Sequence, residues 1–566
     1  MKFRSHLSRM AFPLCGLALL LALPGNTRSQ TPAVPEASPA RQTFKIAGTA
    51  VNAMTGAPLS QARISIASTQ DRSKPAFLIT AEDGHFEFSP LKPGKYALLG
   101  AKRGFISAAY EQHEQYSTAI VTGPEYSTEN LTLRLTPMAL ITGHVMDEFG
   151  DPLREANVTL YFESHAGGMT RIAHYSNSQS DDRGFYDFSL LRPGKYYVSV
   201  TAKPWYAVHP TTPLPSVNFQ FSAPPAQVSS NLDVAYPTTY YNGSTDADGA
   251  TPIEVHGADR LEIDVHVNPV PALHLIFRIP TDPQAQSSGY QMPVLEKRVF
   301  DSVNFVQTEG MNTVAPGVFE ITGVPPGHYT VRTKNSDTGQ LQQSADVDLT
   351  RDGQELNESR GEALGGLKVT IKMPGDEPLP KQYVVGLQNA RRQMVGYRQG
   401  DPTAKFSFEE LPAGKYTILV GAQAKPYAVV RTTSPAGDSW GHDVTIAAGA
   451  SADVTASISA GVVSIEGVVQ KKNKKVAGVM VALVPSDPVA HIDLFRRDQS
   501  DFDGTFVLQG VIPGAYTVVA IEDAWGLDWL QPSVLARYVQ HGQNISIGDF
   551  MTGTIHLPNP IEVQPH

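Results

Sequence analysis

Large apolar side chains recur at every second position in short runs along this chain, and the runs fall into a unit that appears five times. Each unit carries two turns. The second is Pro-Gly-x-Tyr, present as Pro93-Gly94-Lys95-Tyr96, Pro193-Gly194-Lys195-Tyr196, Pro326-Gly327-His328-Tyr329 and Pro513-Gly514-Ala515-Tyr516, with Ala413-Gly414-Lys415-Tyr416 as a variant. Ten residues before each glycine lies the first turn, at Gly84, Gly184, Gly317, Ala404 and Gly504. Between the turns the aromatic and aliphatic groups alternate, as in Phe86 and Phe88, Tyr186 and Phe188, or Phe506 and Leu508, which predicts a strand with one buried face. Proline presets φ and glycine supplies positive φ, so each unit reads as a β-hairpin around the Pro-Gly turn. The tyrosine that follows reads as a core aromatic whose hydroxyl reaches a backbone group at the sandwich edge.

Three units share an opening strand, at Ile46-Ala47-Gly48, Ile141-Thr142-Gly143 and Ile465-Glu466-Gly467, and a second alternating strand about a dozen residues later. The predicted fold is all-β: a tandem array of about five Ig/transthyretin-like antiparallel β-sandwiches after an N-terminal signal peptide. Proline and glycine interruptions divide it into sandwiches over residues 43–137, 138–269, 270–360, 361–460 and 461–566, the third and fourth divergent. No amphipathic helix of three or more turns is expected.

The ends add a location. Residues 1–29 read as a secretory signal, with Lys2, Arg4 and Arg9 ahead of an apolar run over residues 10–23 that is short for a membrane span. Residues 30–42 read as a Pro/Ala-rich linker. The single cysteine, Cys15, lies in the leader, so the mature chain holds no disulfide and no thiolate metal site. Removing the leader leaves 41 Lys and Arg against 55 Asp and Glu, a balance that argues against nucleic-acid binding. The chain is expected to be exported to the periplasm, cell surface or exterior, with no later transmembrane span.

The Ile-x-Gly-x-Val opening, the Ala-x-Val-x-Leu strand, Asp83-Gly84-x-Phe86 and Pro93-Gly94-Lys95-Tyr96 together resemble the carboxypeptidase regulatory-like domain, closely in units one, two and five and partly in the others. The resemblance implies a transthyretin-like sandwich of the carbohydrate-binding-like group and a non-catalytic role beside separate peptidase domains. None of the 16 histidines has glutamate three residues on, so the zinc peptidase pattern is missing from the sequence.

Candidate chemistry is sparse, and no cofactor or metal is expected. Phe105, Trp205 and Trp525 fall eleven residues after the Pro-Gly glycine and Tyr427 thirteen after, where a strand of five to seven residues would have ended in a loop. With Tyr206, Tyr240, Tyr241 and Trp529 they form a candidate aromatic platform for a glycan or another cell-surface component, a protein partner included. The leading reading is therefore a non-catalytic carbohydrate-binding protein. Its alternative is a structural or adhesive spacer in which five units in a row give a rod. A second alternative is a serine hydrolase at Gly437-Asp438-Ser439-Trp440-Gly441, which matches G-x-S-x-G but precedes a predicted strand, not a helix. Asp246-Ala247-Asp248-Gly249 lacks the ligand run of a calcium loop and reads as a polar turn.

Overall fold

The computed structural model describes residues 43–211, 231–278, 292–306, 308, 310–315, 318–334, 341–357, 362–373, 377–422, 426–434, 437–548 and 551–566. Residues 1–42, on which the expected leader and linker fall, and Gly317 lie outside them. The chain is an all-β tandem of sandwiches. The first shows the plan: β1 (Phe44–Asn52), β2 (Arg63–Ser68), β3 (Ala76–Ile79), β4 (His85–Leu91), β5 (Gly94–Ala101), β6 (Ala108–Ala109), β7 (Ile120–Thr122) and β8 (Leu131–Leu135). One sheet runs β4-β1-β8 and the other β3-β2-β5, with β6 and β7 on the far side of β5. β1 is antiparallel to β4 and parallel to β8.

The same scheme recurs, with the opening strand of each sandwich paired antiparallel to the strand after the first turn. Among the described residues each unit closes its own hydrophobic core. In the fifth sandwich the strand Ile561–Gln564 pairs with strands of both sheets and joins them along one side. α1 (Pro532–Val539), two turns long, packs Leu535 and Tyr538 beside that sandwich.

The Pro-Gly turn is not a hairpin. β4 pairs with β1 and β5 with β2, so the turn carries the chain from one sheet to the other. The alternation in β4 and β5 is real, but the two strands bury their faces against each other across the core and do not bond edge to edge. The tyrosine pins the crossing: the hydroxyls of Tyr96, Tyr196, Tyr329, Tyr416 and Tyr516 each donate to the carbonyl four residues earlier, at 3.0, 2.8, 2.7, 2.6 and 2.7 Å. Burial pushes the hydroxyls of Tyr196, Tyr329 and Tyr416 above the usual phenol value and that of Tyr516 up to about 12, so each remains a neutral donor. Tyr516→Phe leaves the Ile512 carbonyl without its partner and should cost about 1 kcal/mol, read as a lower urea midpoint at unchanged slope.

The first and fifth sandwiches are in contact. The first turn of unit five docks on unit one: Lys95 Nζ lies 2.5 Å from Asp501 Oδ2, Ala119 N donates to Asp501 Oδ1 at 2.9 Å, and Phe502 packs against the first core. The second sandwich meets the fifth through Leu530 N and Gly168 O at 2.8 Å, and the third through Phe300, whose ring fills a cluster of Tyr161, Tyr197 and Tyr240. It also meets the fourth, where Arg171 donates to the Arg392 carbonyl at 2.8 Å. A periodic sequence gives each unit a core but does not say which units share a surface.

Candidate functional site

The loop end of the second sandwich carries the most exposed of the candidate aromatic rings. Strand Gly194–Thr201 runs out from its Pro-Gly crossing, and the chain beyond it turns at Pro204, whose carbonyl accepts from Ala207 N at 3.2 Å. Trp205 on this turn is 88% exposed. A fully solvated indole is uncommon, because burying a ring of that size is worth several times the cost of ordering it.

The loop behind Trp205 is braced. Tyr206 donates to one carboxylate oxygen of Glu148, and Tyr236 donates to the other at 2.7 Å. Burial, and then the hydrogen bond to Glu148, push the Tyr206 hydroxyl up to about 12 and Tyr236 higher still, so both stay protonated. Glu148 belongs to the neighbouring loop, where the buried carboxylate of Asp147 accepts from Phe149 N and Asp151 N, both at 2.9 Å. Phe149 is 78% exposed. One carboxylate thus ties together two loops, each carrying an exposed aromatic ring beside the tie. Such an arrangement can present flat apolar faces to a ligand without ordering them on binding.

The other aromatic candidates serve elsewhere, and the eight rings do not share a platform. Tyr240 is fully buried at the joint with the third sandwich. Phe105 packs on the first core, and its backbone bridges to Pro137. Tyr241 and Tyr427 are partly buried against the second and fourth cores. Trp525 lies flat on His113 of the first sandwich, with ring centroids 5.0 Å apart and planes 5° apart. Trp529 is buried against Phe495, under the Arg497 guanidinium 4.3 Å away. A fixed offset from the Pro-Gly glycine places a ring at the end of its own sandwich, but the neighbour that comes to that end decides whether the ring is covered. Phe149 and the Glu148 tie escaped the sequence reading because they have no counterpart at equivalent positions of the other units.

Three further places have enzyme-like or ligand-like features. The backbone around Ser439 is strand Gly437–Trp440, a turn at Gly441-His442, and strand Asp443–Ile446, without the helix a nucleophile elbow needs. A cleft of about 1200 Å³ lies between the third and fourth sandwiches. Several charges on its walls already have partners: Arg332 with Glu296 at 2.9 Å, Lys415 with Asp443 at 2.7 Å, and Asp348 with His328 at 2.8 Å. Asp246 caps its own short turn by accepting from Asp248 N.

No family model matches the chain, and no curated protein matches it, so the likeness to the carboxypeptidase regulatory-like domain rests on the motifs alone. Similar solved structures include the Bacillus anthracis TIE protein, at 12% identity over 75% of this chain and 76% of that one, with a TM-score of 0.17. The minor pilin GBS52 of Streptococcus agalactiae is 12% identical over 43% of this chain and 100% of its own, with a TM-score of 0.20. Two B repeat units of the collagen-binding protein of Staphylococcus aureus are 12% identical over 74% of this chain and 100% of theirs, with a TM-score of 0.13. Similarity of this degree does not bear on function. Among the described residues no helix is long and apolar enough to cross a membrane.

Proposed function

We propose that this chain is an exported, non-catalytic adhesive protein: five sandwiches held as one closed body, with an aromatic contact surface at the loop end of the second. The observation that supports it is Trp205, 88% exposed on a loop that Glu148 ties to a second exposed ring. The leader-like first residues support a place outside the cytoplasm. The ligand is a component of a cell surface or its surroundings.

A second, narrower reading is favoured by the indole itself, whose flat face suits the apolar C–H face of a sugar ring. The two readings separate on a panel that holds both glycans and surface proteins. Trp205→Ala should weaken retention on the best ligand about tenfold or more, in line with the cost of losing a central aromatic anchor. Its thermal midpoint should not move, because so exposed a ring contributes little to folding. Retention that survives both Trp205→Ala and Phe149→Ala would remove this surface from the function.

A further inference from the structure

Three groups with ligand chemistry converge where the fourth sandwich meets the fifth. His442 lies in the turn between strands Gly437–Trp440 and Asp443–Ile446 of the fourth. His491 and Asp493 come from the fifth, in the segment that forms a single short turn at Ile492–Leu494 before strand Arg496–Gln499. One ligand atom from each lies within 4.8 Å of the others. The two imidazole rings stand 5.7 Å apart at 80°, so they do not stack on one another.

His442 and Asp493 are paired as an ion pair, but the paired atoms make no hydrogen bond. His442 is 3% exposed and the Asp493 side chain 10%. His442 Nδ1 and both carboxylate oxygens of Asp493 are buried and make no hydrogen bond, although Nδ1 and Oδ1 face each other at 3.3 Å. Arg496, the nearest cation in sequence, donates to the backbone carbonyl of Asp493. A buried carboxylate with neither oxygen bonded is costly unless a cation completes it. The spacing fits one: two ligand atoms each about 2.1 Å from a tetrahedral centre lie about 3.4 Å apart.

The turn that holds His442 is fixed from both sides. Ile418 N donates to the His442 carbonyl at 2.8 Å and Thr432 Oγ1 to the Gly441 carbonyl at 2.9 Å. The other ring nitrogen of His442 faces Asp443 Oδ1 at 3.8 Å, on the side where a carboxylate orients a metal-binding imidazole. Two imidazoles and one carboxylate suit a borderline divalent ion such as Zn(II) and not Ca(II) or Mg(II), which take oxygen ligands.

We propose that His442, His491 and Asp493 form a Zn(II) site that staples the fourth sandwich to the fifth. With its only cysteine in the leader, the chain has no disulfide with which to fix that joint, and a metal bridging two sandwiches supplies the same constraint.

The test uses the full mature chain, stripped with a chelator and titrated with zinc chloride in a calorimeter, with calcium chloride and magnesium chloride as controls. One Zn(II) per chain with a micromolar or tighter Kd is expected, together with a rise in thermal midpoint. His491→Ala and Asp493→Asn should each weaken that binding at least tenfold and abolish the rise. His491 is less buried than His442, so its substitution should keep the fold where His442→Ala would not. Co(II) should give the intense visible bands of a four-coordinate ion in the wild type and lose them in His491→Ala. The exposed His144, Glu262 and Asp264 cluster is controlled by His144→Ala, which should leave the calorimetric site intact. Absence of Zn(II) uptake, or uptake unchanged in both His491→Ala and Asp493→Asn, would show a plain buried His–Asp ion pair and overturn the proposal.

Discussion

Arg497→Ala should cost about 3–5 kcal/mol in the unfolding transition that involves the fifth sandwich, and should release the first sandwich from it. The guanidinium sits where three sandwiches meet, with its side chain 5% exposed. Its two terminal nitrogens bond both oxygens of Glu114 in the first sandwich, at 3.2 and 2.7 Å, and one reaches the Ala166 carbonyl of the second at 3.3 Å. The plane of charge also lies over Trp529 of the fifth. Removing it strands the largely buried Glu114 carboxylate with no counter-ion, which is the expensive half of breaking such a pair. Lysine should not rescue, because a single ammonium cannot make the forked contact and reach the carbonyl as well. Chemical denaturation would read the energy and small-angle scattering the opening, as a larger radius of gyration. Unchanged values in both would mean that Lys95, Phe502 and their partners close the body without this junction.

Gly143→Val should prevent the second sandwich from closing, at a cost of about 3 kcal/mol or more, seen as loss of soluble yield or of a cooperative urea transition. Gly143 is in the opening strand, flanked on one side by strand Phe185–Leu191 and on the other by strand Arg260–Glu262 and the residues after it. A Cβ at this position would lie 1.9 Å from the Ile263 carbonyl oxygen. That oxygen is also held by the Tyr186 hydroxyl at 2.5 Å, and Ile263 N donates to the Thr142 carbonyl at 2.7 Å, so the backbone has nowhere to retreat. Gly48 in the first sandwich makes the same approach, 2.0 Å from the Leu131 oxygen. Gly167→Ala is the control: a Cβ there meets nothing within 4 Å, and its effect should stay within about 0.5 kcal/mol. A stable, cooperative Gly143→Val protein would show that the Ile-x-Gly opening is not fixed by strand approach.

The candidate surface was half legible. Trp205 stands out by its offset from Gly194, but Trp525 has the same offset from Gly514 and ends flat against His113. Nothing within either unit separates the two tryptophans. Phe149, Glu148 and Asp147 lie nearly sixty residues before Trp205 and become its setting only when the second sandwich closes. The hairpin reading failed for a related reason: Pro-Gly and alternation describe a turn between two half-buried strands equally well whether the strands share a sheet or face each other across a core.

From its sequence alone the chain is an all-β tandem of repeated sandwiches, because alternation, turn chemistry and unit length act over a few residues and are written where they act. Which surfaces the units share was decided only in three dimensions. Arg497 and Glu114 are 383 residues apart, one in the last sandwich and one in the first, and either one read locally is an ordinary charged residue. The energy of their pairing comes from desolvation at a joint that exists only after both cores have formed, and no local pattern encodes it.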